Sequence, residues 1–251
     1  MKKRILFVMM ILVLALVKVS IIDSSPSYAA QEKVSNYAGS RREFNRIVIR
    51  NLRSGNWEFS VPANQSYSAM GAIKGTYFEA LHLPMYVEYI QELDGTVTNY
   101  IRFGSSDHTA KDDLRIRRNI KGIVDRIVPK NASTSRKVRI IHDYIVLNYA
   151  YSYDQPSIKK MLESGWANCN GYATMFLAMA DAAGIEAKYV KGDAYNGRNW
   201  EYHGWNEVKS NGVWYGLDAT WDDAYPNIDG FVAHDYFMVS YNNFYSNRVA
   251  Q

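Results

Sequence analysis

The stretch GWANCNGYATMFLAMADAAGI, Gly165 to Ile185, contains the only cysteine in the chain, and the rest is read from it. After Cys169 and Gly171 comes the helix-forming run YATMFLAMADAAG, with Met175, Met179 and Ala182 at helical spacing and Gly184 as a C-terminal stop. Cys169 is therefore expected at the start of a buried helix. Free N–H groups and the helix dipole stabilise an anion there, and a thiol attacks carbonyls as the thiolate. Taken alone, a cysteine in such a place reads as a small buried hydrophobe. A catalytic role requires partners.

Two candidates lie downstream on rigid elements. His203 heads the strand HGWNEV, and Asp218 closes the strand VWYGLDATW. Asn211-Gly212 between these apolar-alternating runs is a strong hairpin signal. Pairing through that turn sets position 203 opposite 220 and leaves 218 diagonal, within side-chain reach. An aspartate there holds the imidazole's tautomer and orientation while the other ring nitrogen faces sulfur. The spacing predicts a triad of Cys169, His203 and Asp218.

These residues resemble the core of the transglutaminase-like superfamily. GWANCNGYATMFLAMADAAGI corresponds to that family's Cys-Gly-containing helix start, and HGWNEVKSNGVWYGLDATWDD contains its His-x-Trp-Asn and Asp-x-Thr-Trp strands. LNYAYSYD before the cysteine and YFMVS after the hairpin also fit, so the resemblance covers about residues 133 to 240. It implies an α+β, papain-like scaffold in which the helix bearing the cysteine packs on an antiparallel sheet bearing histidine and aspartate. Cys169 then matches the nucleophile, His203 the base and Asp218 the orienting carboxylate. Members with an indole oxyanion donor place a tryptophan near the nucleophile, so Trp166 is either that donor or a packing aromatic. Trp205 and Trp221 read as walls of the site. The sequence departs from the pattern at Asn168 and Asn170, which flank the cysteine.

The activity implied is acyl transfer on protein or peptide amides through a thioester. A lysine amine resolving the thioester gives cross-linking, whereas water gives a protease or amidase, and the triad is the same in each. No cofactor is called for, and the sequence shows no His/Cys/carboxylate cluster at metal-ligand spacing. A catalytically inactive extracellular protein that binds peptide or glycan on the same scaffold is the alternative.

The chain opens MKKRILFVMMILVLALVKVSIIDSSPSYAAQ: a basic start, an apolar run from Ile5 to Val17, and small residues up to Ala30. Residues 1–30 read as a signal peptide, since the run is shorter than the roughly 20 residues that span a bilayer. A secreted or cell-surface protein follows, with a protein or peptide substrate outside the cell and no membrane attachment after cleavage. Without the leader the net charge falls from +4 to about +1, so nothing points to nucleic acid. One cysteine permits no internal disulfide, and stability must come from packing.

Residues 31–128 read as a separate small α+β region of unknown role, and 129–251 as the catalytic core, with PKNASTS (Pro129 to Ser135) as the boundary. The N-terminal part predicts a helix through Phe44, Ile47 and Val48 and a strand over Trp57 to Val61. Beyond these come a helix over Tyr67 to Leu81, a hairpin about Gly95, and a helix with Ile116, Ile120, Ile123 and Ile127 on one face. A further helix carries Val138, Ile141 and Ile145. His142 and Asp143 are adjacent on it, point different ways, and read as structural. Asp222 and Asp223 read as solvated turn residues.

Overall fold

Helix α7 (Cys169–Ala183) is the axis of the fold, and every residue from Gly171 to Ala180 is buried. A helix apolar on all sides has to be enclosed on all sides. The computed structural model describes residues 39–62, 67–154, 157–223 and 230–251, which belong to one compact unit, Tyr37–Gln251. The leader read at residues 1–30 lies outside the described residues. Among the described residues no helix is long and apolar enough to cross a membrane.

One side of α7 is covered by helices α4 (Ala110–Ile127) and α5 (Thr134–Asn148). Ile116, Ile120 and Val124 of α4 and Val138, Ile141 and Ile145 of α5 share a core with Met175, Phe176 and Met179. Full burial of each such side chain stabilises the fold by roughly 1.5–3 kcal/mol. Both helices start at side-chain caps: a reciprocal Thr109–Asp112 capping box for α4, and Ser133 accepting from Arg136 N–H for α5. The Pro129–Ser135 segment thus joins two helices that pack on the same partner.

The other side of α7 rests on a five-stranded antiparallel sheet. Its strands are β6 (Ala187–Tyr195), β7 (Trp200–Ser210), β8 (Val213–Leu217), β9 (Val239–Ser240) and β10 (Arg248–Ala250), in the order β10-β6-β7-β8-β9. Asn211 and Gly212 turn the β7–β8 hairpin with φ of 50° and 81°, the left-handed pair that a two-residue turn requires. Ser210 pairs with Val213 and Asn206 with Leu217, the register read from the sequence. Asn206 also pins the helix to the sheet, donating from Nδ2 to Ala173 O (3.2 Å) and Lys188 O (3.3 Å).

The N-terminal region is α+β as well. Helix α1 (Arg41–Arg53) buries Phe44, Ile47, Val48 and Leu52 against a three-stranded sheet of β1 (Glu58–Pro62), β3 (Val97–Phe103) and β2 (Met85–Gln91). The helix expected over Tyr67 to Leu81 is broken in two, α2 (Ala69–Ile73) and α3 (Tyr77–Ala80). Gly75 sits between them at φ 74°, and Thr76 caps the second by accepting from Phe78 N–H. The closing YFMVS yields only the short β9, because Met238 before it takes φ 48°, outside the strand region. Strand β10, with no alternating apolar pattern, was not legible in the sequence.

Candidate active site

Asn168 is the N-cap of α7, its side chain accepting from Gly171 N–H at 3.2 Å, so Cys169 becomes the first helical residue. Cys169 as a residue is partly exposed. It therefore sits at the positive end of a buried helix with access from solvent, as anion stabilisation requires.

His203 lies within β7, opposite Gly192 of β6, and is 3% exposed. Its Nε2 meets Asp218 Oδ2 at 2.8 Å. The hydrogen bond to Asp218 occupies Nε2 and leaves Nδ1 open, with Cys169 near enough to act on the imidazole. Burial alone would depress the imidazole's pKa, but Asp218, followed by Cys169, outweighs it and raises the value from 6.5 to about 10. Asp218 is held below the usual carboxylate range although its burial opposes this, because His203 and Arg248 both stabilise its charge. The three residues expected from spacing come together.

Glycine at position 204 makes this approach possible. A Cβ there would stand 2.6 Å from Asn170 Oδ1, which already accepts from the Tyr189 hydroxyl at 2.6 Å. The first turn of α7 consequently lies directly against β7. Trp221 stacks on His203 with ring centroids 4.8 Å apart and planes at 23°, and buried Trp205 lies at 6.2 Å and 27°. Both are walls of the imidazole's pocket. Trp166 is half exposed on the two-residue strand β5 (Trp166–Ala167), just ahead of the N-cap.

Residues 121–219 match the Transglutaminase-like superfamily. They are a transglutaminase-like domain. The match runs from within α4 to just past Asp218 and so spans all three residues. No curated protein matches the sequence. Among solved structures the chain is similar to a candidate cysteine protease from Cytophaga hutchinsonii, with 16% identity and a TM-score of 0.39. That alignment covers 62% of this chain and 70% of the other. It is likewise similar to a TGase, with 14% identity, a TM-score of 0.39, and coverage of 73% and 58%. For the periplasmic domain of TgpA from Pseudomonas aeruginosa bound to ethylmercury the values are 15%, 0.36, 57% and 66%.

Beyond the matched segment the domain gains Arg248, on β10. Its Nη2 donates to Asp218 Oδ2 at 2.9 Å, with both side chains almost fully buried. The guanidinium carbon lies 4.2 Å from the Trp221 ring centroid and 4.1 Å from that of Phe244. Asp218 Oδ1 accepts from the backbone N–H groups of Thr220 (3.1 Å) and Trp221 (3.2 Å), so every direction around the carboxylate is fixed. β10 reaches β6 only because position 192 is glycine; a Cβ there would overlap the Val249 carbonyl. Tyr151, on the two-residue strand β4 (Ala150–Tyr151), also belongs to the site. Burial, then the neighbouring Cys169, pushes its hydroxyl up to about 12, so it stays a neutral donor at physiological pH.

Two readings of acidic residues need correction. Asp222 is not solvated but fully buried: Oδ1 accepts from Tyr236 N–H (2.9 Å) and Oδ2 faces His142 Nε2 (3.0 Å). Asp223 accepts from the Tyr172 hydroxyl. The turn after Asp218 closes through Asp222 N–H to Asp218 O (3.2 Å), which carries both carboxylates inward to α5 and α7. His142 and Asp143 do meet, at 3.0 Å, despite being adjacent on a helix. A separate hollow of about 320 Å³ touches Ile49, Arg53, Leu177 and Asp181. Arg53 is there paired to Asp181 at 2.7 Å, and none of Cys169, His203 and Asp218 lines the space.

Proposed function

We propose that this transglutaminase-like domain is a thiol acyltransferase or hydrolase acting on protein or peptide amides outside the cell. The observation that supports it most is the buried chain of charge from Arg248 through Asp218 to His203, aimed at a thiol on a helix N-terminus. A fixed carboxylate sets the imidazole's orientation, and the imidazolium in turn stabilises the thiolate.

In the first half-reaction the sulfur of Cys169 attacks the carbonyl carbon and the S–C bond forms. The C–N bond then breaks as His203 delivers its Nδ1 proton to the leaving amine. The backbone N–H of Cys169, with Trp166 as the candidate indole donor, faces the developing oxyanion; one such donor is worth about 3–4 kcal/mol in other enzymes. In the second half-reaction neutral His203 takes a proton from an amine or from water as it adds to the thioester, and Cys169 is released. The leader read at residues 1–30 supports a substrate at or beyond the cell surface.

The test is mass spectrometry of a glutamine-containing protein incubated with the chain, with and without a primary amine tag, beside Cys169→Ala. Cys169-dependent tag incorporation identifies cross-linking, fragments identify a protease, and a one-dalton gain at glutamine identifies a deamidase. A native chain that modifies none of several substrates, and whose Cys169 resists alkylation, would instead be a peptide- or glycan-binding protein.

A further inference from the structure

A second polar cluster lies on the far side of the Asp218–Asp222 turn and has no part in the acyl-transfer chemistry. Residues distant in sequence build it. His142 is fully buried in α5, and its Nδ1 meets Asp143 Oδ1 at 3.0 Å. His234 Nε2 meets the same Oδ1 at 2.7 Å. One ligand atom from each of these three side chains lies within 4.8 Å of the others. The two imidazoles stand 5.3 Å apart between centroids, tilted by 40°.

We propose that His142, Asp143 and His234 form a binding site for a divalent ion of the zinc type. Two nitrogens and one carboxylate oxygen are a donor set for zinc, cobalt or nickel rather than for calcium or magnesium, which take oxygen. Bond lengths near 2.0–2.1 Å about a tetrahedral ion put neighbouring ligand atoms roughly 3.4 Å apart. The two nitrogen-to-oxygen separations, 3.0 and 2.7 Å, open to that value by roughly 0.4 and 0.7 Å, and the two nitrogens, within 4.8 Å of each other, close toward it as His234 and Asp143, both partly exposed, adjust. With no ion bound, the Nδ1 of His142 and the Nε2 of His234 both point at one carboxylate oxygen. The ion takes the place of the proton at each of these nitrogens: His142 keeps its N–H on Nε2 toward Asp222, and His234 keeps its N–H on Nδ1.

The surrounding groups already stand where a metal's outer partners stand. The other nitrogen of His142 is held by buried Asp222 at 3.0 Å, the carboxylate–histidine arrangement that fixes a ligating imidazole's tautomer. The other oxygen of Asp143 accepts from Arg139 Nε at 2.9 Å, so the ligating carboxylate is also oriented. Arg139 Nη2 lies 3.4 Å from His234 Nδ1, a long contact that gives way when Nδ1 carries the proton. The two carboxylates offset the positive charge of the ion and Arg139. His234 and Asp143 are 27% and 30% exposed, which gives the ion a route in and leaves the fourth position to water. Through Asp222, which bonds to Asp218 O and to Tyr236 N–H, a bound ion also stiffens the turn that carries the catalytic carboxylate.

The test uses the full chain carrying Cys169→Ala, because a thiol beside an imidazole would itself bind soft metals. The readouts are cobalt titration followed by visible d–d absorption, and the change in Tm on adding zinc. The expected result is one equivalent of tetrahedral-type cobalt and a zinc-dependent rise in Tm. His234→Ala, at a partly exposed position, should leave the metal-free Tm near that of its parent and weaken cobalt binding at least tenfold. Asp143→Asn should weaken cobalt binding as much, although it also lowers the metal-free Tm by removing the charge paired with Arg139. No saturable cobalt binding and no zinc shift in the parent would overturn the site, as would equal binding by parent and His234→Ala. None of these readouts depends on catalysis, so the result stands whether or not acyl transfer is found.

Discussion

Arg248→Met removes the guanidinium from Asp218 while keeping most of the side chain's apolar bulk among Trp221, Tyr236 and Phe244. The pair it breaks is buried, with 0% and 1% of the two side chains exposed, and the nitrogen-to-oxygen distance is 2.9 Å. Removing one partner of a buried ion pair typically costs about 3–5 kcal/mol, because the other charge stays desolvated. Asp218 keeps His203 and two backbone N–H groups, which places this variant at the lower end, near 3 kcal/mol. For a domain of this size that is a fall in Tm of roughly 6–12 °C. Urea unfolding followed by tryptophan fluorescence measures it, with Arg248→Lys as the control that keeps charge but loses the planar fork. Turnover should fall along with stability, because Asp218 loses the contact that fixes its outer oxygen. A loss below about 0.5 kcal/mol, the range of an ordinary surface change, would refute the clamp.

Three further outcomes follow from the same geometry. A pKa raised from 6.5 to about 10 means that the folded chain holds the His203 proton more tightly than the unfolded chain. The stability it contributes is complete below pH 6.5 and is lost as pH rises to about 10, whereas the depressed Asp218 contributes above about pH 3.9 and fails only in stronger acid. Thermal melts between those limits should show the alkaline decline in the parent, flattened in His203→Gln. Gly204→Ala pushes a Cβ to 2.6 Å from Asn170 Oδ1 and parts β7 from the start of α7. It should cost about 1–3 kcal/mol in denaturant unfolding and reduce Cys169 reactivity by more than its stability loss explains. Gly192→Ala drives a Cβ into the Val249 carbonyl, detaches β10 and should reproduce the activity loss of Arg248→Met although no catalytic group is altered.

The half of the fold that holds the candidate site was legible because its signals are local and periodic. Met175 and Met179 announce a buried helix, Gly184 ends it, and Asn211-Gly212 sets a register that carries His203 toward Asp218. What was hidden depends on contacts between distant residues. β10 has three residues and no alternating pattern, and it exists because Gly192 lets it close on β6. Arg248 was therefore invisible as a site residue. The inward turn that buries Asp222 follows from a backbone bond to Asp218 rather than from any turn residue. Asp222 and Asp223 look like surface in sequence for that reason, and the His142, Asp143 and His234 cluster escapes a search by spacing.

The proposed function requires that His203, held by Asp218, activate Cys169. The most direct measurement is the rate at which iodoacetamide labels Cys169 in the native chain at about pH 6, beside His203→Ala. An activated thiol should react faster there than a free thiol, whose pKa is roughly 8.5, and the excess should vanish in the variant. A native Cys169 that stays inert until the chain is unfolded, or one labelled equally fast without His203, would contradict it.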